Sequence, residues 1–158
     1  IDYELAPDQD VGDALNLLYP LYEAITRKVL GHFQDGTPAS TPQDHRHATQ
    51  FGARKARDGQ IDWSRSATDV QNLVRAVARP YPGAFTFFRG QQVQIWAGLA
   101  CDRAQHLDAS PGTVLAVSGG TASIACNPGA LLATEITDAE AKGNFALHVG
   151  EKASNDPA

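Results

Sequence analysis

Apolar residues recur at spacings of three and four in two parts of the chain, which is the pattern of amphipathic helices. Asp10 is suited to cap the first helix, with Asp13 satisfying a further free amide. Pro20 removes one helical amide, so we expect it to kink or split this helix, which Gly31 or Gly36 can end. The apolar positions of the first helix are Val11, Ala14, Leu15, Leu18, Tyr22, Ile25 and Val29.

The second helix is predicted from Ser66 to Ala78, after a polar, proline-containing connector over residues 36–50. Ser66 and Asp69 form a variant of the capping box, and Pro80 ends the helix. The apolar positions of this helix are Ala67, Val70, Leu73, Val74 and Val77.

Beyond Gly83 the pattern changes to short runs separated by glycine-containing turns, which is typical of β-strands. This spacing favours a small antiparallel β-barrel, for which the OB type is one candidate. A polar tail follows from about Asp138, and only Phe145, Leu147 and Val149 can anchor it. The sequence therefore predicts an α+β protein with two amphipathic helices followed by a barrel. The expected strands are Ala84–Phe88, Gln92–Cys101, Gly112–Val117, Ser123–Cys126 and Ala130–Glu135.

Composition is that of an ordinary globular protein: 158 residues, 42% hydrophobic and 20% charged. No apolar run approaches the roughly 20 residues that span a bilayer, and the first residues lack a secretory signal, so no membrane association is expected. Cys101 and Cys126 lack CxxC spacing. We therefore expect buried, reduced thiols in a cytoplasmic protein.

The net charge of −5 argues against a general nucleic-acid binder, but the charges are unevenly distributed. Residues 1–50 hold three basic and eight acidic side chains, whereas residues 54–103 hold eight basic and four acidic ones. A positive middle segment could face an anion such as a nucleotide, a phosphate or a folate tail. A solvated surface of mixed charge is the alternative interpretation.

Two motifs lie in tandem between Phe51 and Phe88. In the first, Arg54, Lys55 and Arg57 precede the turn Asp58-Gly59, and their cationic groups suit an anion or an acidic loop. Asp62-Trp63 follows and is interpreted mainly as a structural clamp. The second motif is Asn72-Leu73-Val74-Arg75-Ala76-Val77-Ala78-Arg79-Pro80-Tyr81-Pro82-Gly83-Ala84-Phe85.

In the second motif, Asn72 and Arg75 share one helix face, where they could reach a ligand or cap neighbouring loops. Pro80 and Pro82 fix the backbone around Tyr81. His45 and His47 form a pair without a third ligand at suitable spacing, so no metal site is predicted. The sequence contains no nucleophile–base–acid set, no GxGxxG and no P-loop.

The joint from Phe51 to Phe88 resembles the one between the catalytic domain and the carboxy-terminal barrel of folate-dependent formyltransferases, which include enzymes for methionyl-tRNA and for amino sugars. Three further segments are similar to that barrel, although Asn127 and Pro128 depart from its small turn residues. These segments are Gln94-Ile95-Trp96-Ala97, Ser110-Pro111-Gly112-Thr113-Val114 and Ile124-Ala125-Cys126-Asn127-Pro128-Gly129-Ala130-Leu131.

The resemblance implies transfer of a formyl group from 10-formyltetrahydrofolate to a primary amine. The family's catalytic Asn, His and Asp, and its folate-binding loops, belong to a preceding domain and have no counterpart in this sequence. The resemblance therefore assigns no catalytic, cofactor-binding or metal-binding residue here, and it implies that this segment alone is inactive. The substrate-facing candidates are Phe51, Arg54, Lys55, Arg57, Asn72, Arg75 and Tyr81.

The resemblance implies three parts: residues 1–50 as the last helix and connector of a catalytic domain, residues 51–83 as interdomain linker and helix, and residues 84–158 as the barrel with its tail. Within the family, Phe51-Gly52 and the Arg54-Lys55 segment resemble the sugar-amine enzymes more closely than the tRNA enzymes, which implies a small, nucleotide-linked amine as acceptor. The net charge agrees and argues against nucleic acid. Carrier-bound and hydroxamate-forming amines are further alternatives as acceptors. A methionyl-tRNA formyltransferase domain is the first alternative. The second alternative is a non-catalytic binding barrel. The third is a structural or dimerising domain, which would form a homodimer.

Overall fold

The computed structural model describes residues 4–37, 40–101, 108–140 and 142–157. It confirms two helices followed by five strands, with short 3₁₀ helices at His45–His47 and Ala56–Gly59 between the two α-helices. The helices are α1 (Val11–Gln34) and α2 (Ala67–Ala76), and the strands are β1 (Ala84–Phe88), β2 (Gln91–Cys101), β3 (Val114–Ser118), β4 (Thr121–Ala125) and β5 (Ala130–Asp138).

Helix α1 begins at the predicted N-cap, Asp10, which forms a capping box with Asp13. The Asp13 amide donates to Asp10 Oδ1 over 3.0 Å, and the Asp10 amide donates to Asp13 Oδ2 over 3.1 Å. The expected split at Pro20 is wrong, because α1 continues through this residue as one helix of 24 residues. A proline removes a single backbone hydrogen bond, and the ladder on both sides of Pro20 keeps the helix continuous.

No residue of α1 is buried, although the helix carries many large apolar side chains. Its first turn lies close to the rest of the fold, since a Cβ on Gly12 would come within 2.8 Å of the Arg79 carbonyl oxygen. Beyond that turn the apolar face has no covering element among the described residues. The exposed members of this face are Leu17, Leu18, Tyr19, Tyr22, Ile25, Val29, Leu30 and Phe33.

The strands form one antiparallel sheet in the order β1-β2-β5-β4-β3. In β1, Ala84, Thr86 and Phe88 are buried, while the alternate residues Phe85 and Phe87 lie on the opposite face. Strand β2 has register shifts around Ala97 that leave Trp96 without a partner in the β5 register. The predicted antiparallel strands are confirmed, but the sheet itself is not closed, because β1 and β3 do not pair.

The carboxy-terminal tail lies between the two edges of this sheet. The Ser154 amide donates to the Phe87 carbonyl oxygen of β1 over 2.9 Å, and the Val114 amide of β3 donates to the Glu151 carbonyl oxygen over 2.8 Å. Of the predicted anchors, Leu147 is buried and Phe145 packs against the core, whereas Val149 is exposed. Backbone hydrogen bonds therefore hold the tail in addition to apolar side chains.

Helix α2 covers the core face of β2 and also contacts β5. The Ser66 hydroxyl caps it by accepting from the Asp69 amide over 3.1 Å. Val70 and Val74 are buried beneath it. They join one continuous core whose largest fully buried side chains include Phe88, Ile61, Ile95, Ile124 and Leu131.

The two cysteines are free thiols in different surroundings. Cys126 is buried, as predicted, and burial raises the pKa of its thiol to about 11. Cys101 is exposed, so the expectation that both thiols are buried is wrong for this residue. Cys101 is the last residue of β2.

Candidate functional site

The site is built where the 3₁₀ turn Ala56–Gly59 meets the entry to β1. The Asp58 carboxylate accepts from the Lys55 amide over 2.7 Å and fixes the start of the turn. A Cβ on Gly59 would come within 2.8 Å of the Gly83 carbonyl oxygen. Only glycine therefore allows these two backbone segments to approach so closely, and Gly83 itself has a φ of +88°.

The first of two neighbouring depressions, the Arg54 cavity, has a volume of about 520 Å³. Its two cationic residues and one aspartate give it a positive balance, and Tyr81 is 48% exposed on its wall. The cavity can hold an anionic group beside an apolar or aromatic one. It is lined by Val11, Arg54, Lys55, Ala56, Asp58, Gly59, Ala76, Val77, Tyr81, Pro82 and Gly83.

The second depression, the Gln94 cavity, has a volume of about 350 Å³ and shares Ala56 and Pro82 with the first. Its lining combines neutral carboxamides with two phenylalanine rings, and Arg57 is its one charged member. The two cavities therefore lie side by side across one turn. The Gln94 cavity is lined by Ala56, Arg57, Gln60, Pro82, Phe85, Phe87, Gln92, Gln94 and Asn155.

The structure brings together only some of the predicted substrate-facing residues. Arg54, Lys55 and Tyr81 line the Arg54 cavity, and Arg57 lines the Gln94 cavity. Phe51 is 90% exposed and lines neither. That any of these residues contacts a substrate stays a prediction.

Arg75, another predicted candidate, is engaged in holding the amino-terminal segment. Its Nε donates to the Gln9 carbonyl oxygen over 2.6 Å, and its Nη2 donates to the Ala6 carbonyl oxygen over 2.8 Å. Its Nη1 donates to the Asn72 side chain over 3.3 Å. Neither residue lines either cavity, so the contacts observed for this pair fit the structural interpretation better than the ligand-binding one.

Asp62 and Trp63 occupy positions that agree with the predicted clamp. The Asp62 carboxylate accepts from the Ser64 hydroxyl over 2.6 Å and from the Ser64 amide over 3.0 Å, and these bonds lower the pKa of Asp62. The Trp63 indole is buried and donates from Nε1 to the Thr86 hydroxyl of β1 over 3.1 Å. Together they fix the segment that precedes α2 against the sheet.

Sequence reasoning missed a stacked pair beside the site. The Arg79 guanidinium lies 4.1 Å from the Trp96 ring centroid and donates from Nη2 to Glu135 Oε1 over 2.8 Å. The Trp96 indole donates to the Thr137 hydroxyl over 2.9 Å. These residues come from three segments, namely the turn before β1, β2 and β5, and only the tertiary fold brings them together, so no local motif could have revealed them.

Sequence reasoning also missed the carboxamides of the Gln94 cavity. By sequence, Gln92 and Gln94 lie in the predicted strand Gln92–Cys101, and neither has a predicted ligand-binding role. The available sequence signal for this cavity is Gln94 itself, which lies between the core residues Val93 and Ile95. Because side chains alternate along a strand, Gln94 lies on the face opposite to that of Val93 and Ile95. Gln60 and Asn155 reach the same place through backbone and side-chain contacts between distant segments.

Within the described part of the chain, no three His, Cys, Asp or Glu side chains are grouped to hold a metal ion. Across those same residues, no helix is both long enough and apolar enough to cross a membrane.

The family model described as formyl transferase, C-terminal domain, matches residues 54–144, which is more than half of the chain. The methionyl-tRNA formyltransferase of Acetivibrio thermocellus is 33% identical over 135 residues, or 85% of this chain and 43% of that protein. The chain therefore spans less than half the length of this curated relative.

Crystal structures of HypX from Aquifex aeolicus share the fold. One variant superposes with a TM-score of 0.63 at 20% identity, covering 86% of this chain and 24% of HypX. The HypX complex with tetrahydrofolic acid gives a TM-score of 0.54 at 23% identity, covering 69% of this chain and 18% of HypX. At these identities the likeness concerns the fold alone.

Proposed function

Because the chain belongs to the family of formyl transferase C-terminal domains, we propose that it is the carboxy-terminal part of a 10-formyltetrahydrofolate-dependent N-formyltransferase. In this proposal a preceding domain binds the folate and performs the transfer, while this part forms the acceptor side of the cleft. The family match over residues 54–144 carries the proposal, since that segment contains the sheet and supplies all lining residues of the two cavities except Val11 and Asn155.

The domain division follows from the same proposal. Residues 1–50 would end the catalytic domain, residues 51–83 would link it to the sheet, and residues 84–158 would form the carboxy-terminal domain. The exposed apolar face of α1 supports this division, because such a face is normally covered by another element. A second copy covering the same face, and a cytoplasmic location, stay predictions.

The acceptor is proposed to be a primary amine on a molecule that also carries phosphate. Arg54 and Lys55 supply the cationic groups for such a phosphate, and Tyr81 supplies an aromatic wall. A nucleotide-linked sugar amine, the acceptor favoured by the sequence, is not supported by the relatives named above. Methionyl-tRNA fits the name of the Acetivibrio thermocellus protein, so it is the first acceptor to test.

Replacing Arg54 and Lys55 together with alanine is expected to weaken acceptor binding by about tenfold or more, because charge-assisted hydrogen bonds contribute about 1.5–3 kcal/mol each. Binding of methionyl-tRNA and of a uridine-diphosphate amino sugar to the 158-residue chain would be measured at several salt concentrations. A shallower salt dependence in the double variant would show that it has lost phosphate contacts.

The matched control replaces Arg27 and Lys28 with alanine. This pair lies on α1, carries the same charge and lines neither cavity. Equal weakening in both double variants would mean that net charge alone attracts the acceptor, and it would contradict the Arg54 cavity as the acceptor site.

A further inference from the structure

We propose that the Gln94 cavity binds a nucleobase that carries an exocyclic amino group. This inference concerns ligand binding and does not depend on formyl transfer. It rests on three observations: a buried amide oxygen without a hydrogen-bond partner among the described residues, two aromatic side chains beside it, and the adjacent Arg54 cavity with its cationic residues.

Gln94 is the first observation. Its side chain is only 6% exposed and lines the cavity, yet its Oε1 accepts no hydrogen bond from any part of the chain that the structure describes. Buried polar atoms in folded proteins are nearly always paired. The oxygen itself is shielded from solvent, but Gln94 lines the cavity, so we infer that a rotation of this side chain lets the unpaired oxygen accept from a donor that enters.

The aromatic wall is the second observation. Phe85 and Phe87 lie on the face of β1 opposite to the core, and Phe85 stands opposite Gln94 in the β1–β2 register. Their ring centroids are 6.0 Å apart with the planes at 89°, so the two rings present an edge and a face rather than stacking on each other. Both side chains are only half-buried, which leaves ring surface for a flat ligand.

The polar surroundings indicate which flat ligand fits. Gln92 and Gln60 add neutral amides, and Gln60 is held in place by donating from Nε2 to the Asn155 carbonyl oxygen over 2.6 Å. A carboxamide can pair with the adenine edge, where an amino group lies beside a ring-nitrogen acceptor. The cavity volume of about 350 Å³ lies within the usual range for small-molecule sites.

The Arg54 cavity supplies the second part of such a ligand. It shares Ala56 and Pro82 with the Gln94 cavity and holds the cations Arg54 and Lys55. A base seated on Phe85 and Gln94 would thus have its sugar-phosphate next to a site suited to anions. A free adenine nucleotide and an adenine on an RNA strand share this chemistry.

The test measures binding of adenosine monophosphate, uridine monophosphate and single-stranded oligoadenylate to the full 158-residue chain by calorimetry or anisotropy. The adenine ligands are expected to bind, with uridine monophosphate about tenfold weaker or more, since a bidentate base contact discriminates by about 1–3 kcal/mol. Tighter binding of the mononucleotide would identify a free nucleotide as the source, and tighter binding of oligoadenylate would identify an RNA strand.

Two variants assign the binding to this cavity. Gln94→Met keeps the side-chain length and removes the unpaired oxygen, so it is expected to raise the melting temperature while adenine binding falls about tenfold or more. Phe87→Leu keeps an apolar side chain and is expected to weaken binding through lost stacking. The control Gln91→Met changes an exposed glutamine of the same strand that lines neither cavity, and it should leave binding unchanged.

The proposal is overturned if neither adenine ligand binds at concentrations up to about 10 mM. It is equally overturned if folded Gln94→Met and Phe87→Leu both bind adenosine monophosphate as the unmodified chain does.

Discussion

Trp63→Ala is expected to lower the free energy of unfolding by about 4 kcal/mol, the range found when a buried aromatic side chain is truncated. Trp63 is 5% exposed, belongs to the core and donates to the hydroxyl of the fully buried Thr86. It also lies against Gly112, where an added Cβ would be 3.3 Å from Trp63 Cδ1. Urea denaturation of the variant and the unmodified chain would measure the difference.

Trp63→Phe separates packing from hydrogen bonding in the same position. Phenylalanine keeps much of the buried ring but cannot donate to Thr86, so a smaller loss of about 1–3 kcal/mol is expected. If Trp63→Ala lost less than about 1 kcal/mol, Trp63 would not be the clamp that fixes the linker to the sheet.

Gly83→Ala is the second large effect, with an expected loss of about 3 kcal/mol. Its φ of +88° disfavours any side chain by about 1–2 kcal/mol. An added Cβ would also lie 2.9 Å from Trp96 Cζ3. Overpacking of this kind costs about 1–3 kcal/mol in addition to the backbone contribution. Thermal or urea unfolding would measure the loss.

Gly120→Ala is a close control for this substitution. Gly120 has a φ of +83°, and an added Cβ there would meet nothing within 4 Å. It should lose only the backbone contribution of about 1–2 kcal/mol. Equal losses in the two variants would show that the contact with Trp96 contributes nothing, and the tight entry to β1 would then need another explanation.

Local signals predicted the elements of this fold well. Asp10 and Ser66 cap the two helices as expected, and Ala84–Phe88 has the bounds that the sequence indicated. Of the two outcomes expected at Pro20, a kink or a split, the split is wrong, because a proline breaks one backbone bond and helix continuity depends on all the others. The position of the tail between β1 and β3 could not be predicted, because backbone hydrogen bonds to distant strands leave no mark on side-chain pattern.

The site was predicted only in part, for a similar reason. Arg54 and Lys55 stood out because cations cluster beside a glycine turn, and they do line one cavity together with Tyr81. The carboxamides of the Gln94 cavity come from three distant segments, and their meeting depends on strand register and on the turn Ala56–Gly59. Arg75 carries the same guanidinium group as Arg54 but donates it to the backbone carbonyl oxygens of Gln9 and Ala6. The sequence alone does not show which arginine forms such hydrogen bonds.

The most direct test of the proposed function joins the amino-terminal part of the Acetivibrio thermocellus methionyl-tRNA formyltransferase to this chain in place of its own carboxy-terminal part. Formyl transfer from 10-formyltetrahydrofolate to methionyl-tRNA and to a uridine-diphosphate amino sugar would be measured for this chimera and for the 158-residue chain alone. We expect product from the chimera with at least one acceptor, and none from the chain alone. A folded chimera that transfers no formyl group, or turnover by the chain alone, would contradict a role on the acceptor side of a formyltransferase.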